Sequence, residues 1–230
     1  MRDLASYYHH QVFLNFPFDE GSVGISYAMH FAVIAAGLVP VCAKDLTAPD
    51  RPRLQSLIYA IDSCKYSAHD FSKYRGEGEK NFSRFNMPVE MGMALYNAMK
   101  TQRSEHRCAF FVTSPHEYRI FASDLAGLDP YRYEDDCGLV SIMYEWLRDT
   151  VRAAFVKKPT SEIVSHYREF TSQIAHIEGS GGPGSPSHHE AQELMYQLCT
   201  QAELWDWRAN LAGRQAFPEV PLKFSHRVNR

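Results

Sequence analysis

Short apolar runs alternate along this chain with longer segments of helical apolar spacing. Residues 12–18 read Val-Phe-Leu-Asn-Phe-Pro-Phe and stop at Pro17 and Asp19-Glu20-Gly21, which predicts a buried strand, interrupted by Asn15, that ends in a loop. Over 21–36, Val23, Tyr27, Phe31 and Ile34 recur at helical spacing, and Gly37 is placed to end that helix. Residues 38–43 follow as a second strand, in which Pro40 favours a sheet edge. Leu54, Leu57, Ile58 and Ile61 supply the buried stripe of the next helix, 66–72 is a third strand, and 73–83, with Gly76, Gly78 and five charged residues, is a loop. After a helix that begins near Asn86, residues 108–114 (Cys-Ala-Phe-Phe-Val-Thr-Ser) are the clearest buried strand, closed by Pro115. A short helix at 118–126, a weak fifth strand or extended loop at 129–134, and a helix at 138–155 carrying Leu139, Ile142, Met143, Trp146 and Leu147 complete the pattern.

Strands that alternate with helices predict a parallel sheet covered on both faces, because parallel neighbours need crossover connections and these are right-handed. The expected architecture over 1–157 is a flavodoxin-like three-layer α/β/α fold with about five strands in the order 2-1-3-4-5. After Lys157-Lys158-Pro159 the pattern changes to an amphipathic helix at 161–177, a Gly/Pro/Ser linker at 179–187 and a further helix at 189–207. Residues 158–230 are therefore expected to form a helical appendage, either a homo-oligomer or partner surface or a segment docked on the core through aromatics such as Trp205 and Trp207. No internal repeat is present.

Within this frame the stretch 84–95, Arg-Phe-Asn-Met-Pro-Val-Glu-Met-Gly-Met-Ala-Leu, carries the most chemistry. Pro88 lacks a backbone donor and suits only the first turn of a helix, and Asn86 before it is a favoured cap. From that start Glu90 falls on the same face as Asn86, inside an apolar stripe. Gly92 lowers helix stability by up to about 1 kcal/mol relative to Ala, so its place points to a close approach to the backbone, by a ligand or by the packing of the helix on a sheet. An acidic residue in a first turn is also favoured by the helix dipole alone, although a capping box would put it at position 89, where Val stands.

Composition narrows the alternatives. With 230 residues, 45% of them hydrophobic, the chain can bury one sizeable core, and a net charge of −3 without any basic block argues against a nucleic-acid groove. Five cysteines without a CxxC pair signal neither a disulfide framework nor a zinc site, and a reducing cytoplasm fits them best. The N-terminus has no apolar signal core, and the stretch 28–43 is too short and too broken to span a bilayer, so no membrane segment is expected. There is no GxGxxG after the first strand and no GxxxxGK[ST], which disfavours dinucleotide and P-loop sites. Cys42, Cys64 and Cys108 read as buried structural thiols, and His188-His189 as a solvated pair in the linker without companion ligands. His69 and Asp70 are neighbours on a strand and must point to opposite faces.

In an open parallel sheet, ligands bind beyond the carboxyl ends of the strands where the strand order reverses, here between the first and third strands. Three polar clusters are expected there: Asn15 to Asp19, His69 to Ser72, and the helix start with Asn86 and Glu90. These same blocks, Phe13-Leu-Asn-Phe-Pro-Phe-Asp19, Cys64 to Ser72 and Arg84 to Ala94, together with Ser123-Asp-Leu-Ala-Gly127, resemble a group of bacterial proteins related to Toll/interleukin-1 receptor (TIR) domains and nucleoside 2-deoxyribosyltransferases. The resemblance covers about residues 10 to 150, and Glu90-Met91-Gly92 matches the Glu, aliphatic, Gly pattern of the transferases.

What the resemblance implies is cleavage of an N-glycosidic bond in NAD, a nucleoside or a nucleotide, in bacterial antiphage defence, with the nucleotide as substrate and no cofactor or metal. Glu90 would act on the ribose as the catalytic carboxylate. Asp70 and Asn86 would hold ribose hydroxyls or orient it, and Asn15, Phe16, Pro17, Phe18, Asp19, Ser72, Arg84 and Met87 would line the substrate. Burial should raise the pKa of Glu90. The alternative is a sensor or adaptor that binds a nucleotide signal in the same crevice without turning it over.

Overall fold

The computed structural model describes residues 8–46, 52–73, 86–100, 105–114, 123, 127–151, 158–179 and 185–204. Five parallel strands, β1 (Gln11–Asn15), β2 (Val39–Cys42), β3 (Tyr66–Asp70), β4 (Arg107–Val112) and β5 (Tyr131–Arg132), form one sheet in the order β2-β1-β3-β4-β5. β2 lies at the edge, where Pro40, with no N–H to donate, is tolerated. The helices are α1 (Val23–Ala35), α2 (Arg53–Asp62), α3 (Asn86–Lys100), α4 (Asp136–Thr150), α5 (Thr160–Gly179) and α6 (His188–Gln201). The result is a three-layer α/β/α fold with a helical C-terminal part.

Side-chain alternation along the strands assigns the helices to two faces. Val12 and Leu14 of β1 and Tyr66 and Ala68 of β3 belong to one large buried cluster with α1 and α4, whereas Phe13 packs with Ala60 and Ile61 of α2 and Ala94 of α3. A third cluster seats Met87 and Met91 of α3 on Phe71, Phe110 and Val112. α1 has ten buried residues among its 13, because it lies between the sheet, α4, α5 and α6 and has almost no solvent side. Val23 is the exception, 42% exposed, so the helical spacing read from the sequence overstated the burial of its first turn. The helix ends in a Schellman motif: Leu38 N–H donates to Val33 C=O, Gly37 N–H donates to Ile34 C=O, and Gly37 takes φ 70°. At the other end, a Cβ on Gly24 would collide with the Asp136 carboxylate, so this glycine lets α4 approach α1.

The C-terminal helices continue the same core. Ile163, Tyr167, Phe170 and Ile174 of α5 and Ala191, Met195, Leu198 and Cys199 of α6 are buried with α1 and α4 in the large cluster. Tyr167 and Phe170 meet Phe31 of α1 at ring-centroid distances of 5.4 and 5.9 Å. α6 opens with a full capping box, Ser187 and Glu190 each bonding the other's backbone N–H, and closes in a Schellman turn with Glu203 at φ 49° and Leu204 buried.

Several expectations need correction. β1 ends at Asn15 rather than at 18, and α6 ends at Gln201 rather than running to 207. On α2 only Leu57, Ala60 and Ile61 face the sheet; Leu54 and Ile58 are 53% and 44% exposed, because a helix lying flat on a sheet buries a narrower stripe than four periodic residues imply. His188 is not in the linker but opens α6, half-buried against Asp45. Most of the expected helix at 118–126, most of the loop at 73–83, and Trp205 and Trp207 fall outside the described residues. No described helix is long and apolar enough to cross a membrane.

Candidate active site

Strand order reverses at β1 and β3, and at their carboxyl ends Asn15 of β1 meets the first turn of α3. Asn15, the last residue of β1, stands beside His69 in the register and is almost fully buried. Its Nδ2 donates to Met87 C=O at 2.9 Å and also lies 3.0 Å from His69 Nδ1. A carbonyl can only accept, so the atom facing it is the amide nitrogen; His69 Nδ1 must then accept as well, and the ring proton sits on Nε2. Burial, with His106 nearby, pushes the His69 pKa down to about 3, which keeps that ring neutral. One amide thus ties β1, β3 and the first turn of α3 together.

Held by this contact, α3 turns Met87, Met91 and Ala94 onto the sheet. Glu90 lies at the margin of that inner face, only 7% exposed, one turn beyond Met87. Burial pushes its carboxyl pKa up from 4.5 to about 7, and the charge of Arg53, the first residue of α2, works in the opposite direction. Glu90 is therefore poised between its charged and neutral forms near neutral pH.

Asp70 does not join it. Strand alternation sends Asp70 to the face of α1 and α4, where Oδ1 accepts from Ser72 N–H at 3.1 Å and from Ser72 Oγ, and Oδ2 accepts from Tyr133 Oη at 2.6 Å. Burial raises the Asp70 pKa to about 6 against the pull of these three bonds. Ser72 is accordingly engaged with Asp70. The remaining residues expected at the site are dispersed. Asn86 is exposed at the start of α3, and Met87 is buried with its carbonyl bound by Asn15. Asp19 is half-buried and accepts from Lys73 Nζ at 2.9 Å and Ser22 Oγ at 2.8 Å. Phe16 and Pro17 are buried, and Phe18, 41% exposed, stands edge-on to Phe16 under Lys44 Nζ, 5.2 Å from its ring. Arg84 lies outside the described residues.

Of the three polar clusters, the structure thus brings together the end of β1 and the start of α3, while the carboxylate of β3 turns away. A Cβ on Gly92 would meet nothing within 4 Å: this glycine opens onto a groove of about 470 Å³ between α2 and α3, lined by Ile58, Val89 and Tyr96 among others, and no part of the described chain approaches it closely. Two residues escaped the sequence reading. Arg53 could have been found only as a cation at the first turn of the helix after the edge strand, and Tyr133 only through its contact with Asp70. The described side chains grouped so that they could share a metal ion, His30, Cys42 and His188, belong to the opposite face. Compared with protein-family models and with curated proteins, the chain matches none.

Proposed function

We propose that the crevice cleaves the N-glycosidic bond of a nucleotide-type substrate, NAD or a nucleoside or nucleotide, with Glu90 as the catalytic carboxylate. The observation that carries this reading is a single buried carboxylate at the start of α3, beside the point where strand order reverses, with a pKa raised to about 7. Loss of the base builds positive charge on the sugar, and a carboxylate in an apolar surround stabilises that charge or attacks the anomeric carbon far better than one in water. For either role Glu90 must be ionised, so the rate should rise with pH through about 7. Arg53 favours the ionised form, and the Asn15 amide fixes the helix that presents it. The sequence resemblance to TIR-like and deoxyribosyltransferase-like proteins supports the same chemistry and a place in bacterial defence.

The test is chromatography of products after incubation with NAD, nucleosides and nucleotides. The wild type is expected to release free base, and Glu90→Gln to lower the rate by at least about 100-fold. Tight binding of a nucleotide by both proteins without turnover by either would instead establish a sensor that uses the same crevice.

A further inference from the structure

On the face of the sheet away from Glu90, three side chains from distant parts of the chain converge, with Asp45 next to them. His30 projects from α1, Cys42 ends β2, Asp45 follows it in the loop, and His188 opens α6. One ligand atom each from His30, Cys42 and His188 lies within 4.8 Å of the others. His188 Nε2 stands 3.7 Å from Cys42 Sγ and 3.2 Å from Asp45 Oδ1. A tetrahedral ion with bonds of about 2.3 Å to sulfur and about 2.0 Å to nitrogen and oxygen would hold such atoms about 3.3 to 3.6 Å apart.

Hydrogen bonding alone leaves this cluster unresolved. His30 is 1% exposed; its Nδ1 is 2.7 Å from Ser26 C=O and must donate to it, so Nε2 carries a bare lone pair, and that atom is buried without a partner. A ring nitrogen fixed in this way by a backbone carbonyl behind it is the arrangement found in metal-bound histidines. His188 Nε2 is approached by Asp45 Oδ1, which can only accept, and at 3.2 Å by Gln192 Nε2, which can only donate, besides the Cys42 sulfur. One ring nitrogen cannot satisfy all three.

We infer that His30 Nε2, Cys42 Sγ and His188 Nε2 form a three-ligand site for a divalent cation of the zinc class, with Asp45 Oδ1 beside it, 3.2 Å from His188 Nε2. The donor set of two imidazoles and one thiolate suits that class and leaves the fourth tetrahedral position to water. Binding displaces the thiol proton of Cys42 to solvent, and the proton of His188 resides on Nδ1. The Cys42 thiolate, with the Asp45 carboxylate beside the site, then offsets the 2+ charge. The ion would pin the start of α6 to the edge strand and to α1, joining residues 146 positions apart. Nothing in this assignment depends on Glu90.

The test uses the full chain, purified without chelator and examined by elemental analysis, then stripped and titrated with Co²⁺. The expected result is about one zinc per chain and, with cobalt, the absorption of a tetrahedral ion together with a thiolate-to-cobalt charge-transfer band that added zinc abolishes. Cys42→Ser should lose the charge-transfer band and His188→Gln should lower metal content at least about tenfold, whereas Cys108→Ser, altered in β4, should retain both. Chelation should lower the melting temperature of the wild type but not of His188→Gln, whose fold is checked by circular dichroism. A folded wild-type chain with neither bound metal nor a cobalt charge-transfer band, or a band that persists in Cys42→Ser, would overturn the assignment.

Discussion

Asp70 and Glu90 are both buried carboxylates near the carboxyl ends of the strands, one beneath each helical layer, yet their surroundings differ in kind. On the face of α1 and α4, Asp70 is encircled by donors from Ser72 and Tyr133, within a large apolar cluster that α5 and α6 extend. On the face of α2 and α3, Glu90 has the charge of Arg53 to oppose its burial, in a thinner layer whose outer side exposes Leu54, Ile58, Val89 and Tyr96. Burial raises the pKa of both groups. A carboxylate surrounded by hydroxyl donors serves packing, whereas one left largely to an opposing charge is what a reaction needs.

The largest expected contrast in stability comes from the thickness of the two layers. Phe170→Ala on α5 should destabilise the fold by about 3–5 kcal/mol, while Leu54→Ala on α2 should change it by less than about 0.5 kcal/mol, both read from urea unfolding. Equal losses would show that the α2 face is as tightly packed as the other.

Glu90 supplies the next effect, and its sign is set by the raised pKa. Below about 4.5 both folded and unfolded chains hold the proton, so Glu90 exerts no penalty; between 4.5 and about 7 only the unfolded chain gives it up, and stability falls with rising pH. At pH 8 Glu90→Gln should therefore be more stable than the wild type, by up to about 3 kcal/mol, and the gain should vanish at pH 4. Thermal melts across this range check it; a variant equally stable at both pH values would mean that the carboxylate is not desolvated.

Tyr133→Phe removes one donor from Asp70 and leaves a buried carboxylate oxygen unsatisfied, with an expected loss of about 2 kcal/mol in urea unfolding and no effect on turnover at Glu90. The smallest effect sharpens the comparison from the other side. Arg53→Ala removes the charge that favours ionised Glu90, so the rising limb of the rate against pH should move to higher pH while the fold is unaffected. A limb that stays in place would separate Arg53 from the site.

Much of the framework was legible in local pattern. The alternation of runs and periodic segments implied parallel strands in the order β2-β1-β3-β4-β5, Pro40 marked the edge, and Gly37 marked the end of α1. Pro88 placed the start of α3 and with it the burial of Glu90. The Ser187-x-x-Glu190 box that opens α6 was also there to be read, and missing it left His188 in a linker. Asp70 was separable from His69 by strand alternation, but its placement beside Tyr133 was not.

These limits follow from what each level of structure encodes. Periodicity, caps and turn residues are properties of a few neighbouring positions, so the chain alone determined its elements and their parallel arrangement. Tertiary packing alone decided that Asp70 meets donors while Glu90 faces Arg53, that Leu54 and Ile58 stay outside, and that His30, Cys42, Asp45 and His188 meet. Such meetings depend on how whole helices and loops settle against the sheet, a sum of many weak contacts between segments that no local spacing records.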